Sequence, residues 1–103
     1  MSASKTFFIT GVSSGFGLAL AEAAIAAGHR VVGTVRSEEA RRAFEAQFSG
    51  RPGQAFVRLL DVADFAAGEQ IAAEVESSVG PVDVLVNNAG YGHEGILEES
   101  GMD

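Results

Sequence analysis

Cysteine and tryptophan are absent from this chain of 103 residues, which also contains a single lysine and two histidines. Without cysteine the chain can form no disulfide, has no thiolate nucleophile and offers no sulfur ligand to a metal. The histidines, His29 and His93, lie far apart in the sequence, and neither has other ligands at metal-binding spacing. We therefore predict no thiol chemistry and no metal site.

Positive charge is also scarce, with 7 Lys and Arg against 14 Asp and Glu and a formal net charge of -7. Nucleic acids and anionic membranes need a basic surface, so neither is expected as a partner. Residues 1–5 precede no long apolar run. We therefore expect neither a secretory signal nor a spanning helix, and a cytoplasmic location. The 47% hydrophobic content predicts one globular domain over residues 1–103.

Glycine is abundant, and residues 10–17, Thr-Gly-Val-Ser-Ser-Gly-Phe-Gly, place three glycines between an apolar run and an alanine-rich segment. This pattern predicts a strand, a tight turn and a helix. Gly11 would allow the turn, Gly15 the close approach of a ligand, and Gly17 close packing of the helix on the strand. The first amides of such a helix lack partners and favour a pyrophosphate. Taken alone, the segment is equally compatible with an ordinary turn.

The rest of the chain alternates between strand and helix patterns. Strands are predicted at 6–9, 30–36, 55–61 and 82–86, and helices at 16–27, after the cap residue Ser37 and after the cap residue Asp64. The buried helix faces are predicted to contain Leu18, Leu20, Ala21 and Ile25, then Ala40, Ala43, Phe44 and Phe48, then Ile71, Val75 and Val79. We predict a doubly wound parallel sheet of the Rossmann type, three layers deep, with four strands of a larger sheet present.

The unusual residues follow the predicted strand ends, where open parallel sheets bind ligands. They are the glycine turn, Arg36, Asp61 with Val62, and residues 87–90. A carboxylate after the second strand would select NAD(H), whereas the guanidinium of Arg36 suits a 2′-phosphate. We therefore predict NADP(H) as the cofactor, with NAD(H) less favoured. The other interpretation of Arg36 is a solvated side chain, and its charge argues against a methyl-donor-binding domain.

Three motifs together resemble the N-terminal half of a short-chain dehydrogenase/reductase. They are Thr10-Gly11-x-x-x-Gly15-x-Gly17, Asp61-Val62 and Asn87-Asn88-Ala89-Gly90. The resemblance implies that the pyrophosphate and its ribose are held by Gly11, Ser13, Ser14, Gly15, Phe16 and Gly17. It implies that Asp61 and Val62 flank the adenine, and that Asn88, Ala89 and Gly90 line the nicotinamide ribose. Asn87 is expected to hold the interior of the sheet together. The second basic residue that many NADP-dependent members carry near Ser14 is missing.

The resemblance also implies hydride transfer between the cofactor and a small carbonyl or alcohol substrate, catalysed by a serine, an asparagine and a Tyr-x-x-x-Lys pair. Here the only tyrosine, Tyr91, is followed four residues later by Gly95, and the only lysine is Lys5. No catalytic residue is therefore assigned. We expect the chain to be the first part of a longer, homo-oligomeric enzyme. The alternative is a non-catalytic NADP(H)-binding or sensing module.

Overall fold

Strands and helices alternate throughout the residues that the structure, a computed structural model, describes: 4–61 and 65–88. The elements are β1 (Thr6–Thr10), α1 (Gly15–Ala26), β2 (Arg30–Val35), α2 (Glu38–Gln47), β3 (Ala55–Leu59), α3 (Phe65–Ser78) and β4 (Val84–Asn87). The predicted succession of strand and helix is confirmed. The strands end one or two residues earlier or later than predicted, as is common at element boundaries.

The four strands form one parallel sheet in the order β3-β2-β1-β4. Strands β2 and β3 lie on one side of β1, and β4 pairs with β1 on its other side. This is the strand order of a doubly wound sheet, and the reversal beside β1 opens a crevice at the carboxyl ends of the strands. Thr10 of β1 aligns there with Thr34 of β2 and with Asn87 of β4.

Helices pack on both faces of the sheet, which confirms the predicted three layers. Because successive strand residues point to opposite faces, each strand contributes to two separate cores. The first core joins the sheet to α1 and α2 and includes Ile9, Val31, Val35 and Val57 with Ala21, Ala24, Ile25 and Phe44. The second joins Phe8 and Val32 to Val75 of α3, with Ile71 and Val79 packed against it.

The helix faces differ in detail from the predicted ones. In α1 the small residues Gly17, Ala21 and Ala24 are buried, whereas the larger Leu18 and Leu20 are only partly buried. In α2 the buried side chain is Phe44, flanked one turn away on each side by Ala40 and Phe48, and Ala43 is exposed. The residues four apart form the stripe that meets the sheet, and position 43 lies beside it.

Local signals begin and end the helices as expected where the structure describes them. The Ser37 hydroxyl accepts a hydrogen bond of 3.1 Å from the Ala40 amide at the start of α2. Gly28, with φ of +95°, follows the end of α1. The predicted cap Asp64 lies outside the described residues. No helix in the described ranges is long and apolar enough to cross a bilayer.

An ion pair connects α3 to β3. Arg58 Nε lies 2.7 Å from Glu74 Oε1, and the Ser78 hydroxyl donates to Glu74 Oε2 at 2.6 Å. These hydrogen bonds, chiefly the one from Arg58, lower the pKa of Glu74 from 4.5 to about 2. The pair is partly exposed, with 27% of the Arg58 side chain and 46% of the Glu74 side chain open to solvent, so its contribution to stability is small.

Candidate functional site

The glycine turn between β1 and α1 is anchored on β2. Gly11 has φ of +76°, a conformation that a side chain would strain. Its amide donates to both the carbonyl and the hydroxyl oxygen of Thr34, each at 3.1 Å, and the Val12 amide donates to the Thr34 carbonyl at 3.0 Å. Thr34 is 1% exposed. A buried side chain of β2 therefore fixes the point where the chain leaves the sheet.

Gly17 allows α1 to begin directly against this turn. A Cβ at Gly17 would lie 2.0 Å from the Gly11 carbonyl oxygen and 2.6 Å from Asn88 Nδ2. Neither distance is sterically possible, so only glycine permits this approach. The helix therefore packs closely, as predicted, but its contact at Gly17 is with the turn that follows β1 and with Asn88.

Gly15 borders open space. Its φ is +65°, it is exposed, and a Cβ placed on it would have no atom within 4 Å. Steric crowding by the described residues therefore does not explain why residue 15 is a glycine. The positive φ favours glycine at this position, and the open space beside Gly15 is available to a ligand.

The first turn of α1 has no internal counter-charge or cap. Ser14 is the N-cap residue, but its side chain makes no capping hydrogen bond, and the turn contains no acidic residue. The leading amides of a helix have no partner within the helix, and the helix dipole adds partial positive charge there. This end of α1 is therefore suited to an anion such as a phosphate.

Asn88 ties the turn to β4. Its side-chain Nδ2 donates to the Gly11 carbonyl at 2.9 Å, and its amide donates to Thr10 Oγ1 at 3.0 Å. Asn87 is exposed instead. It shares the α3 side of the sheet with Leu85, where both line a cavity, and its expected role in the interior of the sheet stays a prediction.

Arg36 and the glycine turn line one cavity at the carboxyl edge of the sheet. Its volume is about 110 Å³, and its wall is formed by Gly11, Ser13, Thr34, Val35, Arg36, Ser37, Ala40 and Leu60. The Leu60 amide donates to the Val35 carbonyl at 2.8 Å, which brings the end of β3 beside Arg36. Asp61 follows and is exposed. Predicted residues of two segments, the glycine turn and Arg36, therefore line this cavity, and the third segment contributes Leu60, the residue before Asp61.

A larger cavity of about 400 Å³ lies on the α3 face of the sheet. Its wall is mostly apolar and includes Phe8, Val82 and Leu85, with Glu69 and Glu76 as its charged members. Among its described lining residues there is no basic side chain. Two carboxylates without a cation are unsuited to a phosphate, so the cavity beside Arg36 is the better candidate for an anion site.

The predicted site residues fall into three groups. Ser13, Ser14, Gly15 and Arg36 are exposed, and Phe16 is 53% exposed, so ligand atoms can reach all of them. Gly11, Gly17 and Asn88 form the frame beneath them. Val62, Ala89 and Gly90 lie outside the described residues, as does Tyr91. In residues 4–61 and 65–88 no group of three His, Asp or Glu side chains could hold a metal.

Thr10, the first residue of the glycine motif, and Thr34, which the sequence analysis did not single out, have supporting roles that the sequence did not reveal. Both are buried, and their side chains accept the amides of Asn88 and Gly11. One signal was available: each is a β-branched hydroxyl residue at or next to the last position of its strand. Each supports the segment that follows a neighbouring strand, which is β4 for Thr10 and β1 for Thr34. That pattern becomes informative only when the strand ends are known.

Comparisons with known proteins identify relatives over nearly the whole chain. Residues 5–102 match the family model of the short chain dehydrogenases. A 3-oxoacyl-[acyl-carrier-protein] reductase FabG of Escherichia coli is 37% identical over 93 residues, which are 90% of this chain and 37% of the relative. The chain spans about a third of the length of the curated relatives it matches.

Two solved structures share the fold. A short-chain dehydrogenase from Streptomyces avermitilis is 48% identical with a TM-score of 0.77, and the match covers 85% of this chain and 31% of that one. An actinorhodin polyketide ketoreductase solved with NADPH is 38% identical with a TM-score of 0.77, and the match covers 84% of this chain and 33% of that one.

Proposed function

The chain belongs to the short-chain dehydrogenase family, and we propose that it is the cofactor-binding part of an oxidoreductase that uses NADP(H). The observation that carries the proposal is the meeting of the uncapped start of α1, the open space at Gly15 and the guanidinium of Arg36 at one edge of the sheet. Phosphate groups would complement the start of α1 and the guanidinium of Arg36, and a dinucleotide would link the two. We also propose that residues 1–103 belong to one dinucleotide-binding domain.

The pyrophosphate is assigned to the first turn of α1. Amides of residues 13–17 would donate to it, with no side-chain cap at Ser14 and no acidic residue in the turn to compete. Gly15 leaves room for close approach. Phe16, 53% exposed, would cover the neighbouring ribose with its ring. Asp61 and Val62 would flank the adenine, and Asn88, Ala89 and Gly90 would border the nicotinamide ribose.

Arg36 is assigned to the 2′-phosphate. Its guanidinium can donate two parallel hydrogen bonds to phosphate oxygens, and the adjoining cavity contains no carboxylate that would repel them. The NADPH in the ketoreductase structure supports this choice of cofactor.

Bound NADP(H) supplies or accepts a hydride, and the substrate would be a small carbonyl or alcohol. The reductase names of the relatives support this substrate class. The chain's own residues would bind and orient the cofactor. The serine and the Tyr-x-x-x-Lys pair that the family uses have no counterpart in this sequence. We therefore expect the chain by itself to bind NADPH without turning over a substrate. A homo-oligomeric state and a cytoplasmic location stay predictions from the sequence.

Titration calorimetry with NADPH and NADH tests the proposal. We expect NADPH to bind at least about tenfold more tightly, because a charged hydrogen bond contributes roughly 1.5–3 kcal/mol. Arg36→Ala should abolish this preference by weakening NADPH and leaving NADH unchanged. Arg42→Ala, which removes an exposed arginine on α2, is the matched control and should change neither affinity. Equal affinity of the unmodified chain for both cofactors would refute the assignment of NADP(H).

A further inference from the structure

We propose that Gly33, inside β2, positions the phosphate-binding turn by leaving a notch for the side chain of Val12. The inference rests on the proposed function, since it concerns the same turn. Gly33 belongs to none of the segments assigned to the cofactor above. Its importance follows from what packs on it.

The notch lies in a row of aligned residues across three strands. Ile9 of β1, Gly33 of β2 and Val57 of β3 are register partners and point to the face covered by α1 and α2. Ile9 is 0% and Val57 6% exposed. Two large side chains therefore border a position without one, and the gap between them is a recess in the sheet surface.

Val12 fills this recess. A Cβ on Gly33 would lie 2.4 Å and 2.8 Å from the two methyl carbons of Val12 and 3.1 Å from its Cβ. Val12 is 1% exposed. Its β-branched side chain is stiff about χ1, and its methyls cannot easily swing away. Any side chain at Gly33 would displace Val12 from the sheet.

A displaced Val12 would move the atoms that face the cofactor. Its amide and that of Gly11 both donate to Thr34, the neighbour of Gly33. Ser13, the next residue, lines the cavity beside Arg36. The backbone is thus held by Thr34 and the side chain by the notch at Gly33. Gly33 is therefore a positioning residue that acts on the phosphate site through Val12.

The test is Gly33→Ala, made alone and together with Val12→Ala. Alone, Gly33→Ala should weaken NADPH binding by about tenfold, which is the effect of losing one hydrogen bond from a backbone amide to a charged phosphate. Relative to Val12→Ala, the double variant should bind within about twofold, because both close methyl contacts are gone and the 3.1 Å contact needs only a small adjustment. Gly68→Ala, at a helical glycine with open space around it, should leave the affinity unchanged.

Hydrogen exchange of the Gly11 and Val12 amides gives a second readout without cofactor. We expect Gly33→Ala to accelerate exchange at these amides when Val12 is present, and to have little effect when Val12→Ala accompanies it. Exchange and affinity that change equally in both backgrounds, or in neither, would overturn the role of Gly33. If the unmodified chain fails to bind NADPH, the proposed function fails, and the exchange data still decide the inference.

Discussion

Two of the helices that begin at the carboxyl edge of the sheet, α1 and α2, start in opposite ways. At α2, the Ser37 hydroxyl caps the Ala40 amide, and Glu38 and Glu39 place negative charge in the first turn. At α1, the N-cap Ser14 makes no capping bond, the first turn has no acid, and two glycines replace better helix formers. Both helices follow a strand of the same sheet, so their position does not explain the difference.

The comparison shows where the chain leaves its own polar groups unsatisfied. At α2 the donors and the dipole are satisfied by residues of the same turn, which stabilises the helix locally. At α1 the same groups face an open surface. A helix start that forgoes its cap loses stability, and the loss is offset when an anion binds there. The difference therefore favours α1 as the binding end, as proposed, and α2 as a structural one.

The largest effect is expected from Gly17→Ala, which would separate α1 from the turn. The new Cβ would overlap the Gly11 carbonyl oxygen, 2.0 Å away, and displace Asn88. We expect a loss of about 3 kcal/mol in the free energy of unfolding, measured by urea denaturation, and loss of NADPH binding. The control is Gly68→Ala, also in a helix, which should stabilise by about 0.5–1 kcal/mol. Equal stability of Gly17→Ala and the unmodified chain would contradict the packing described here.

The second prediction makes α1 resemble α2 by adding an acid to its first turn. Phe16→Glu should weaken NADPH binding by about tenfold relative to Phe16→Gln, because a carboxylate there repels the phosphates. The free energy of unfolding of Phe16→Glu should exceed that of Phe16→Gln by about 0.3–1 kcal/mol, because the carboxylate interacts favourably with the helix dipole. The two variants have side chains of the same shape, so the difference isolates charge. Identical affinities at low salt would count against the phosphate site.

The third prediction concerns the two N-cap serines. Ser37→Ala should reduce the free energy of unfolding by about 1 kcal/mol, because it removes the acceptor of the Ala40 amide. Ser14→Ala should change it by less than about 0.5 kcal/mol, because the Ser14 hydroxyl caps nothing. Urea denaturation of both variants measures the contrast. A larger loss for Ser14→Ala than for Ser37→Ala would reverse the comparison.

The smallest effect is a difference in acid sensitivity. The hydrogen bond from Arg41, with the charge of Arg41 and Arg42, holds the pKa of Glu38 below its usual 4.5. A carboxylate with a lowered pKa in the folded state stabilises above pH 4.5, and this contribution is lost as the pH falls through the lower value. The protection factors of the α2 amides, which are corrected for the intrinsic pH dependence of exchange, should therefore fall in acid, and Glu38→Gln should reduce that fall. The first turn of α1, which has no carboxylate, should not show it.

Much of the fold could be predicted because its signals are local. Glycines at 11 and 17, the cap at Ser37 and the apolar runs act within a few residues, and the structure agrees with each. The roles of Asn87 and Asn88 depend on where β4 ends relative to β1, which neighbouring residues do not determine. The notch at Gly33 depends on the register of three strands. Both features depend on pairing between strands that are distant in the sequence, so no short stretch of sequence predicts them.

The candidate site likewise has features that local sequence predicts and features that depend on non-local hydrogen bonds. Glycine spacing and Arg36 pointed to the phosphates because they follow strand ends, where parallel sheets bind ligands. The supporting threonines were not found, because a threonine in a strand is usual and only its hydrogen bonds to Gly11 and Asn88 distinguish it.

The most direct test of the central claim is an amide NMR titration of the chain with NADPH. We predict that the largest chemical-shift changes fall on residues 13–17, where the uncapped amides of α1 would meet the pyrophosphate, with further changes at Arg36. The α1 amides should also respond to NADH, whereas the change at Arg36 should depend on the 2′-phosphate. Unchanged amides at residues 13–17 under saturating NADPH would contradict the claim that α1 was left uncapped for a ligand.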